Sequence, residues 1–206
     1  MSKPFFSVIV PAHNSARYIW KGLKSIVQQS FEDYELIIVC DACTDDTELV
    51  ARAYTDKIIV TDYGLDGMAR NAGIDAAEGQ YILFMDDDDW FLHEYVFHQI
   101  HEAVISEEGL DVLLFSFIWK GRGYAAQMEG HYIAVWCKCW RREHIGDTRF
   151  PAVPHWSDVD FDRAMFAKES KVVAWDMPMY YYNYLREGSI SWRKEQGEIA
   201  GREDGW

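Results

Sequence analysis

Apolar and polar positions along the first half of the chain fall into blocks, each about the length of one secondary-structure element. FFSVIV, Phe5 to Val10, is a continuous apolar run too short for a helix and bounded by Pro11, the pattern of a central strand. Ile19, Leu23, Ile26 and Val27 then share one helical face, with Asn14 or Ser15 placed to cap that segment. ELIIVC (residues 35–40) reads as a second strand stopping at Asp41, and Thr44-Asp45-Asp46 offers a cap and first-turn carboxylates to a helix carrying Leu49, Val50 and Ala53. DKIIVTD (56–62) predicts a third strand, MARNAGIDAAEG (68–79) a short helix with a small-residue face and a closing glycine, and QYILFMD (80–86) a fourth strand. Strands separated by helices of this length imply an α/β architecture with a mostly parallel central sheet built from right-handed crossover units.

The second half is less regular. Residues 93–105 predict an amphipathic helix, DVLLFSFIW (111–119) a long strand, GRGYAAQMEG (121–130) a turn-rich connection and HYIAVWCKCW (131–140) another strand. SDVDFDRAMFAKE (157–169) reads as a helix with Ser157 at its cap and Phe161, Ala164 and Met165 on one face, and VVAWDMPMYYYNY (172–184) as strand and extended chain. No internal repeat, low-complexity segment or linker divides the chain, so residues 1–206 are expected to form one domain with a sizeable core.

Bulk properties then narrow the classes of partner. Hydrophobic residues make up 49% of the chain and charged residues 26%, which excludes a disordered or fibrous class. Twenty Lys and Arg against 34 Asp and Glu give a net charge of -14, which opposes attraction to nucleic acid or an anionic bilayer, so any phosphate must be met by local cations. No apolar stretch is long enough to span a membrane, and MSKPFFSVIVPAHN turns polar too soon for a secretory signal. A cytoplasmic protein is expected, with peripheral association at the inner face of the membrane left open. Cys40-x-x-Cys43 and Cys137-x-Cys139 have spacings a zinc site or redox pair could use, but neither is flanked by Gly-rich knuckle turns, which favours reduced thiols at strand ends.

The candidate chemistry follows from the predicted sheet, because ligands gather beyond the carboxyl ends of such strands. Ala12-His13-Asn14, Asp41 and the run Asp86 to Asp89 all lie there, on one rim. Four successive carboxylates could be a solvated, helix-capping turn. The buried strand before them and Trp90-Phe91 after them leave little room for four solvated charges, and a Mg²⁺ or Mn²⁺ ion would relieve the repulsion with one or two carboxylates plus substrate phosphate. A phosphatase DxDx[TV] after the first strand, a P-loop and a GxGxxG dinucleotide turn are all absent.

SVIVPAHNSARYIWKGLKSIVQQSFEDYELIIVCDACTDDT followed by GMARNAGIDAAEGQYILFMDDDDW resembles the family 2 glycosyltransferases of the GT-A fold. Their usual form is a strand, Pro-x-x-Asn, an amphipathic helix with a Gln-Ser/Thr-Phe/Tyr turn, a strand ending in Asp-Asp-Gly-Ser-Thr-Asp, an Ala-Arg-Asn segment and an Asp-x-Asp metal motif. Weaker matches in VWCKCWRREHI, SDVDF and YYYNYLREGSIS extend the likeness over nearly the whole chain. The resemblance implies metal-dependent, inverting transfer from a nucleotide-diphosphate sugar, UDP-linked as the first expectation, to a hydroxyl of a glycan or lipid-linked glycan. Residues 1–91 would bind the donor and residues 92–206 the acceptor.

Residue by residue, the likeness gives Asp41 to the nucleotide base, Pro11, Ala12 and Asn14 to the wall of that pocket, and Arg70 to the nucleotide's neighbourhood, where its fork suits a phosphate or a carboxylate. Asp88 would hold the metal directly, with Asp86 and Asp87 near the ribose or around the ion, Asp86 doubling as a candidate ligand; Asp89 is left structural. Asp158 matches the catalytic base, although Ser157-x-x-Asp160 also reads as a capping box and Asp160 is its nearest rival. On the acceptor side His155 lies near the presumed chemistry and Trp156 could stack on a sugar ring, whereas His98 and His101 are expected at the surface. The chain departs from the family at Cys40, Ala42, Cys43 and Cys137, each replacing a usual polar residue or glycine. Two other readings stay open: a non-catalytic nucleotide-binding relative or scaffold, and a nucleotidyltransferase, which should carry a Gly-rich basic loop where this chain has PAHNSAR.

Overall fold

A computed structural model describes residues 3–125 and 133–200. Its first half repeats strand and helix: β1 (Phe6–Ala12), α1 (Ile19–Val27), β2 (Tyr34–Asp41), α2 (Thr47–Ala51), β3 (Ile58–Thr61), α3 (Asp66–Ala76) and β4 (Tyr81–Phe84). β1 pairs in parallel with β2 on one side and β4 on the other, and β3 extends the parallel set beyond β2. Every residue of β1 is buried, as its unbroken apolar run requires of a strand covered on both faces.

The second half contributes β5 (Trp90–Phe91), α4 (Val96–Ser106), β6 (Val112–Trp119), β7 (Gly123–Ala125), β8 (Lys138–Arg141), α5 (Arg142–Ile145), α6 (Ser157–Phe166), β9 (Val172–Tyr182) and α7 (Ile190–Glu195). Among the described residues the sheet runs β3-β2-β1-β4-β8-β6-β9-β5, with β7 paired to β6. β8 is antiparallel to both β4 and β6, so direction reverses where the halves join. One apolar layer packs Phe6, Leu23, Phe97, Phe115 and Tyr180 on one face of the sheet; the other packs Ile9, Phe84, Trp140, Phe150 and Phe161 beneath α3 and α6.

Two glycines permit close approach. A Cβ on Gly73 of α3 would stand 2.3 Å from Ile9 Cγ2 of β1, and one on Gly22 of α1 would stand 2.5 Å from the Asp89 carbonyl oxygen. The second contact seats α1 directly against the acidic loop after β4.

Several element ends differ from expectation. Neither Asn14 nor Ser15 caps α1, whose first flanking residue is Tyr18 with no side-chain cap. Asn14 instead accepts from the Thr44 and Asp45 backbone N–H groups at 2.8 and 3.3 Å. α2 starts at Thr47 rather than at a Thr44 cap, and α3 starts two residues early and ends at Ala76, before the supposed closing Gly79. Of HYIAVWCKCW, residues 131–132 lie outside the described residues; Val135–Cys137 is a 3-10 turn, and the strand begins at Lys138. Ser157 is not the cap of α6 either: Trp156 is, in the left-handed region at φ 66°, and Ser157 Oγ donates to Asp66 Oδ1 at 3.2 Å. A tertiary hydroxyl–carboxylate bond thus replaces the capping box. His98 is exposed as expected, whereas His101 is half-buried against the rings of Phe5 and Phe31, with centroids at 4.5 and 4.9 Å.

Candidate active site

The carboxyl ends of β1, β2 and β4 meet at one rim because β1 lies between the other two. His13, just past β1, links both neighbours: its backbone N–H donates to Asp87 Oδ2 at 3.2 Å and its Nδ1 lies 2.7 Å from the Asp41 carbonyl oxygen. A cavity of about 570 Å³ opens over this rim, lined among others by Pro11, Ala12, Asn14, Asp41, Arg70 and Asp86 to Asp88. Every residue assigned to the donor by resemblance therefore lines the same space, which is large enough for a drug-sized or cofactor-sized ligand.

Asp41, at the end of β2, is buried and already engaged. Its Oδ1 accepts from Thr61 Oγ1 at 2.8 Å and the Tyr63 N–H at 2.7 Å, and Oδ2 accepts from the Leu65 N–H at 3.1 Å. It thereby folds the loop between β3 and α3 over the cavity while lining it. The thiol replacements differ in setting: Cys40 is buried, with burial pushing its thiol up to about 12, whereas Cys43 is partly buried and donates to the Ala12 carbonyl at 3.4 Å. Cys137 is buried and donates to the Ala134 carbonyl at 3.2 Å.

Arg70 sits on α3 with its guanidinium buried between two carboxylates, donating from Nη1 to Asp66 Oδ2 and from Nη2 to Asp86 Oδ1, both at 2.7 Å. These pairs outweigh burial and keep it protonated. Asp86 pairs with Arg70 and Asp88 with Arg186, whose Nε donates to Asp88 Oδ2 at 2.6 Å. Arg186 also lies 4.1 Å over the Tyr18 ring. Between them Asp87 is pushed up to about 7, first by burial and then by Asp88, and burial raises Asp88 in spite of Arg186.

Asp89 points the other way. It is fully buried, accepting from Tyr180 Oη and the Asn183 N–H, both at 2.8 Å, and so ties the acidic loop to β9. Tyr180 Oη in turn accepts from the Asp86 N–H at 3.1 Å.

Among the described residues no group of three or more His, Cys, Asp or Glu converges as a ready metal cage. Mg²⁺ and Mn²⁺ rarely need one, since one or two protein carboxylates suffice when water and substrate phosphate complete the shell. Clustered acids whose pKa values are raised by burial, and for Asp87 further by Asp88, suit such an ion.

A second cavity of about 330 Å³ adjoins the first, and Asp66, Arg70, Asp86, Tyr182 and Tyr184 line both. Asp158, in the first turn of α6, lines the second cavity with Trp156. Burial pushes the Asp158 carboxyl up to about 6, against the pull of Arg70 and with the help of Asp66 and Asp86. A carboxylate poised near neutrality in the cavity that adjoins the strand-end one has the properties of a general base. Asp160, in the same turn, lines neither cavity. His155 lines the first cavity, its Nδ1 buried without a hydrogen-bond partner among the described residues.

Arg186 was not among the expected site residues, nor was Tyr18. The available signal was an arginine, Arg186, just after the aromatic run 180–184 in an acid-rich chain, since any bound phosphate would need such a cation.

Comparison with known proteins matches this geometry. A family model described as glycosyl transferase family 2 matches residues 7–162. Poly(ribitol-phosphate) beta-N-acetylglucosaminyltransferase TarS of Staphylococcus aureus is 36% identical over 132 residues, covering 60% of this chain and 23% of TarS. Glycosyltransferase GlyA of Streptococcus pneumoniae is 24% identical over 218 residues, covering 90% of this chain and 31% of GlyA. The crystal structure of S. aureus TarS 1–349 in complex with UDP-GlcNAc superposes with a TM-score of 0.78 at 28% identity, over 89% of this chain and 59% of that one. The mannosyltransferase PcManGT from Pyrobaculum calidifontis, in complex with GDP-Man and Mn²⁺, shares the fold with a TM-score of 0.74 at 15% identity, over 95% of this chain and 61% of that one. The chain thus spans about a quarter of the length of TarS. No helix among the described residues is long and apolar enough to cross a membrane. With a family model covering most of its length and a GT-A sheet whose carboxyl rim carries the motifs, this chain belongs to glycosyl transferase family 2.

Proposed function

We propose that the chain is an inverting glycosyltransferase that moves a sugar from a nucleotide diphosphate, UDP in the first instance, to an acceptor hydroxyl of a glycan or lipid-linked glycan. The observation that carries this reading is the junction of a cavity over the strand ends with a second, aromatic cavity holding Asp158. A TarS neighbour in complex with UDP-GlcNAc supports the choice of UDP, and a neighbour in complex with Mn²⁺ supports a divalent ion. Pro11, Ala12, Asn14 and Asp41 would line the base and ribose end, with Asp86 and Asp87 towards the diphosphate. Asp88 and Asp86 would hold the ion, which when bound neutralises charge growing on the departing nucleotide.

The chain's own groups supply the rest. Arg70 fixes Asp66 and Asp86 through its two arms, so the wall shared by both cavities is preset before substrate enters. Asp158 accepts the proton of the attacking hydroxyl as that oxygen bonds to the anomeric carbon and the carbon–oxygen bond to the diphosphate breaks on the opposite face. One displacement inverts the configuration. Trp156 borders the acceptor, offering a ring face to a sugar, whereas His155, expected on the acceptor side, lines the donor cavity instead.

The test is a panel of UDP-, GDP- and dTDP-sugars incubated with the protein and MnCl₂, following nucleotide release and nucleotide binding. Release that is faster with one UDP-sugar and lost on chelation is expected. Absence of Mn²⁺-dependent binding for every nucleotide would leave a scaffold or non-catalytic relative as the better description.

A further inference from the structure

We propose that the acceptor carries an anionic group, a phosphate or a carboxylate, and that Arg122 and Lys194 receive it at the aromatic cavity. The proposal rests on reading that cavity as the acceptor side. Its walls are Trp119, Trp136, Trp156, Tyr182 and Tyr184, with Arg122 and Lys194 beside them. The Arg122 guanidinium lies 4.6 Å over the Trp119 ring and 4.8 Å over the Tyr184 ring, and its Nη2 is 3.4 Å from Tyr184 Oη. Lys194 Nζ lies 5.0 Å over the Trp156 ring, two residues before Asp158. Aromatic faces thus hold both cations in place and leave their N–H donors for a ligand.

Arg52, Lys57 and Arg193 each have a carboxylate at hand, whereas Arg17, Lys21, Lys24 and Lys120 have none among the described residues; Arg122 and Lys194 differ from these four in lining the aromatic cavity. Among the described residues neither Arg122 nor Lys194 forms an ion pair. The carboxylates lining the same cavity are engaged elsewhere: Asp66 and Asp86 by Arg70, and Glu195 by Tyr184 Oη at 3.1 Å. Asp158 alone keeps its charge for chemistry. A neutral sugar needs ring faces and hydrogen bonds, not two cations. An anionic acceptor approaching a protein of net charge -14 needs both.

The test compares glucose 6-phosphate and glucuronate with neutral glucose, by ligand-observed NMR titration and by stimulation of nucleotide release from a UDP-sugar. At least one charged probe is expected to bind about tenfold or more tightly than glucose at low salt, and high salt should erode that preference; whichever binds better names phosphate or carboxylate. R122Q/K194Q should abolish the preference while leaving UDP affinity and Tm unchanged, and R122K/K194R should retain it. Equal binding of glucose and both charged probes, or a preference surviving in R122Q/K194Q, would overturn the proposal. Preference without any nucleotide binding would keep the anion site and remove the glycosyl-transfer reading beneath it, whereas UDP binding without preference does the reverse.

Discussion

Replacing Arg186 with glutamine removes the cation that the acidic loop relies on when no metal ion is bound. Arg186 Nε stands 2.6 Å from Asp88 Oδ2, with side-chain exposures of 24% and 13%, so the pair is partly screened. Two charges at this separation and an effective dielectric of about 20 interact by roughly 6 kcal/mol, and solvent at the arginine together with the cost of desolvating the pair reduces the net loss to about 1–3 kcal/mol. For a domain of this size that is a fall in Tm of about 2–12 °C.

The pH dependence has a definite sign. Burial and mutual repulsion raise Asp87, to about 7, and Asp88 above their unfolded values, so each costs stability once the pH exceeds its unfolded pKa, and protonation relieves the cost. The deficit of R186Q should therefore be largest above about pH 7 and shrink towards about pH 4, as protonation removes the charge that Arg186 offsets. Thermal melts in EDTA across that range measure it, and repeating them with saturating MnCl₂ adds a second readout. The ion should stabilise R186Q more than the wild type, because the guanidinium no longer competes for the Asp88 oxygen. A deficit independent of pH, or equal Mn²⁺ stabilisation of both proteins, would show that Arg186 does not neutralise this loop.

Three further outcomes are expected. Asp158→Asn should lower turnover by about 10²- to 10⁴-fold with UDP affinity intact, and wild-type kcat/KM should rise with pH up to about 6 and then level off, since the base must be ionised in the free enzyme; equal turnover in the variant removes Asp158 from the mechanism. Tyr180→Phe deletes the hydroxyl that donates to buried Asp89 and accepts from the Asp86 N–H, and should cost about 1–3 kcal/mol in urea denaturation, with no loss counting against the clamp. Ala42 has φ 48°, so Ala42→Gly should stabilise by up to about 1 kcal/mol and Ala42→Val should destabilise; a lower Tm for the glycine variant would contradict the assigned backbone strain.

The position of Ala42 shows what could and could not be read from residue order. The left-handed turn there would suit a glycine, but an alanine gives no local sign that φ is positive. The buried strands were legible for the opposite reason: six apolar residues in each of β1 and β2, too few for a helix, suit strands covered by other elements, and the polar residues that stop them, His13-Asn14 and Asp41, are visible in the sequence. Caps failed where a partner distant in sequence outcompeted the local one. Asn14 turned to the Thr44-Asp45 backbone and Ser157 to Asp66, 91 residues away. The same distance hid Arg186, whose carboxylate partner lies 98 residues earlier and whose role depends on β9 returning the chain to the rim.

Asp89 makes the dependence on long-range packing concrete. Four adjacent aspartates look equivalent in order, yet β9 sorts them. Tyr180 Oη and the Asn183 N–H bury the fourth, while Arg70 takes one oxygen of the first and Arg186 one of the third. The second, held by the His13 N–H, is left with its pKa displaced to about 7. The repulsion implied by the DDDD run is therefore settled differently at each position: by burial with neutral donors at the bottom, and at the rim by arginines, one of which a divalent ion would have to displace from Asp88. This is why R186Q tests the site more directly than removing any one of the aspartates. It leaves every candidate metal ligand in place and takes away only the competitor.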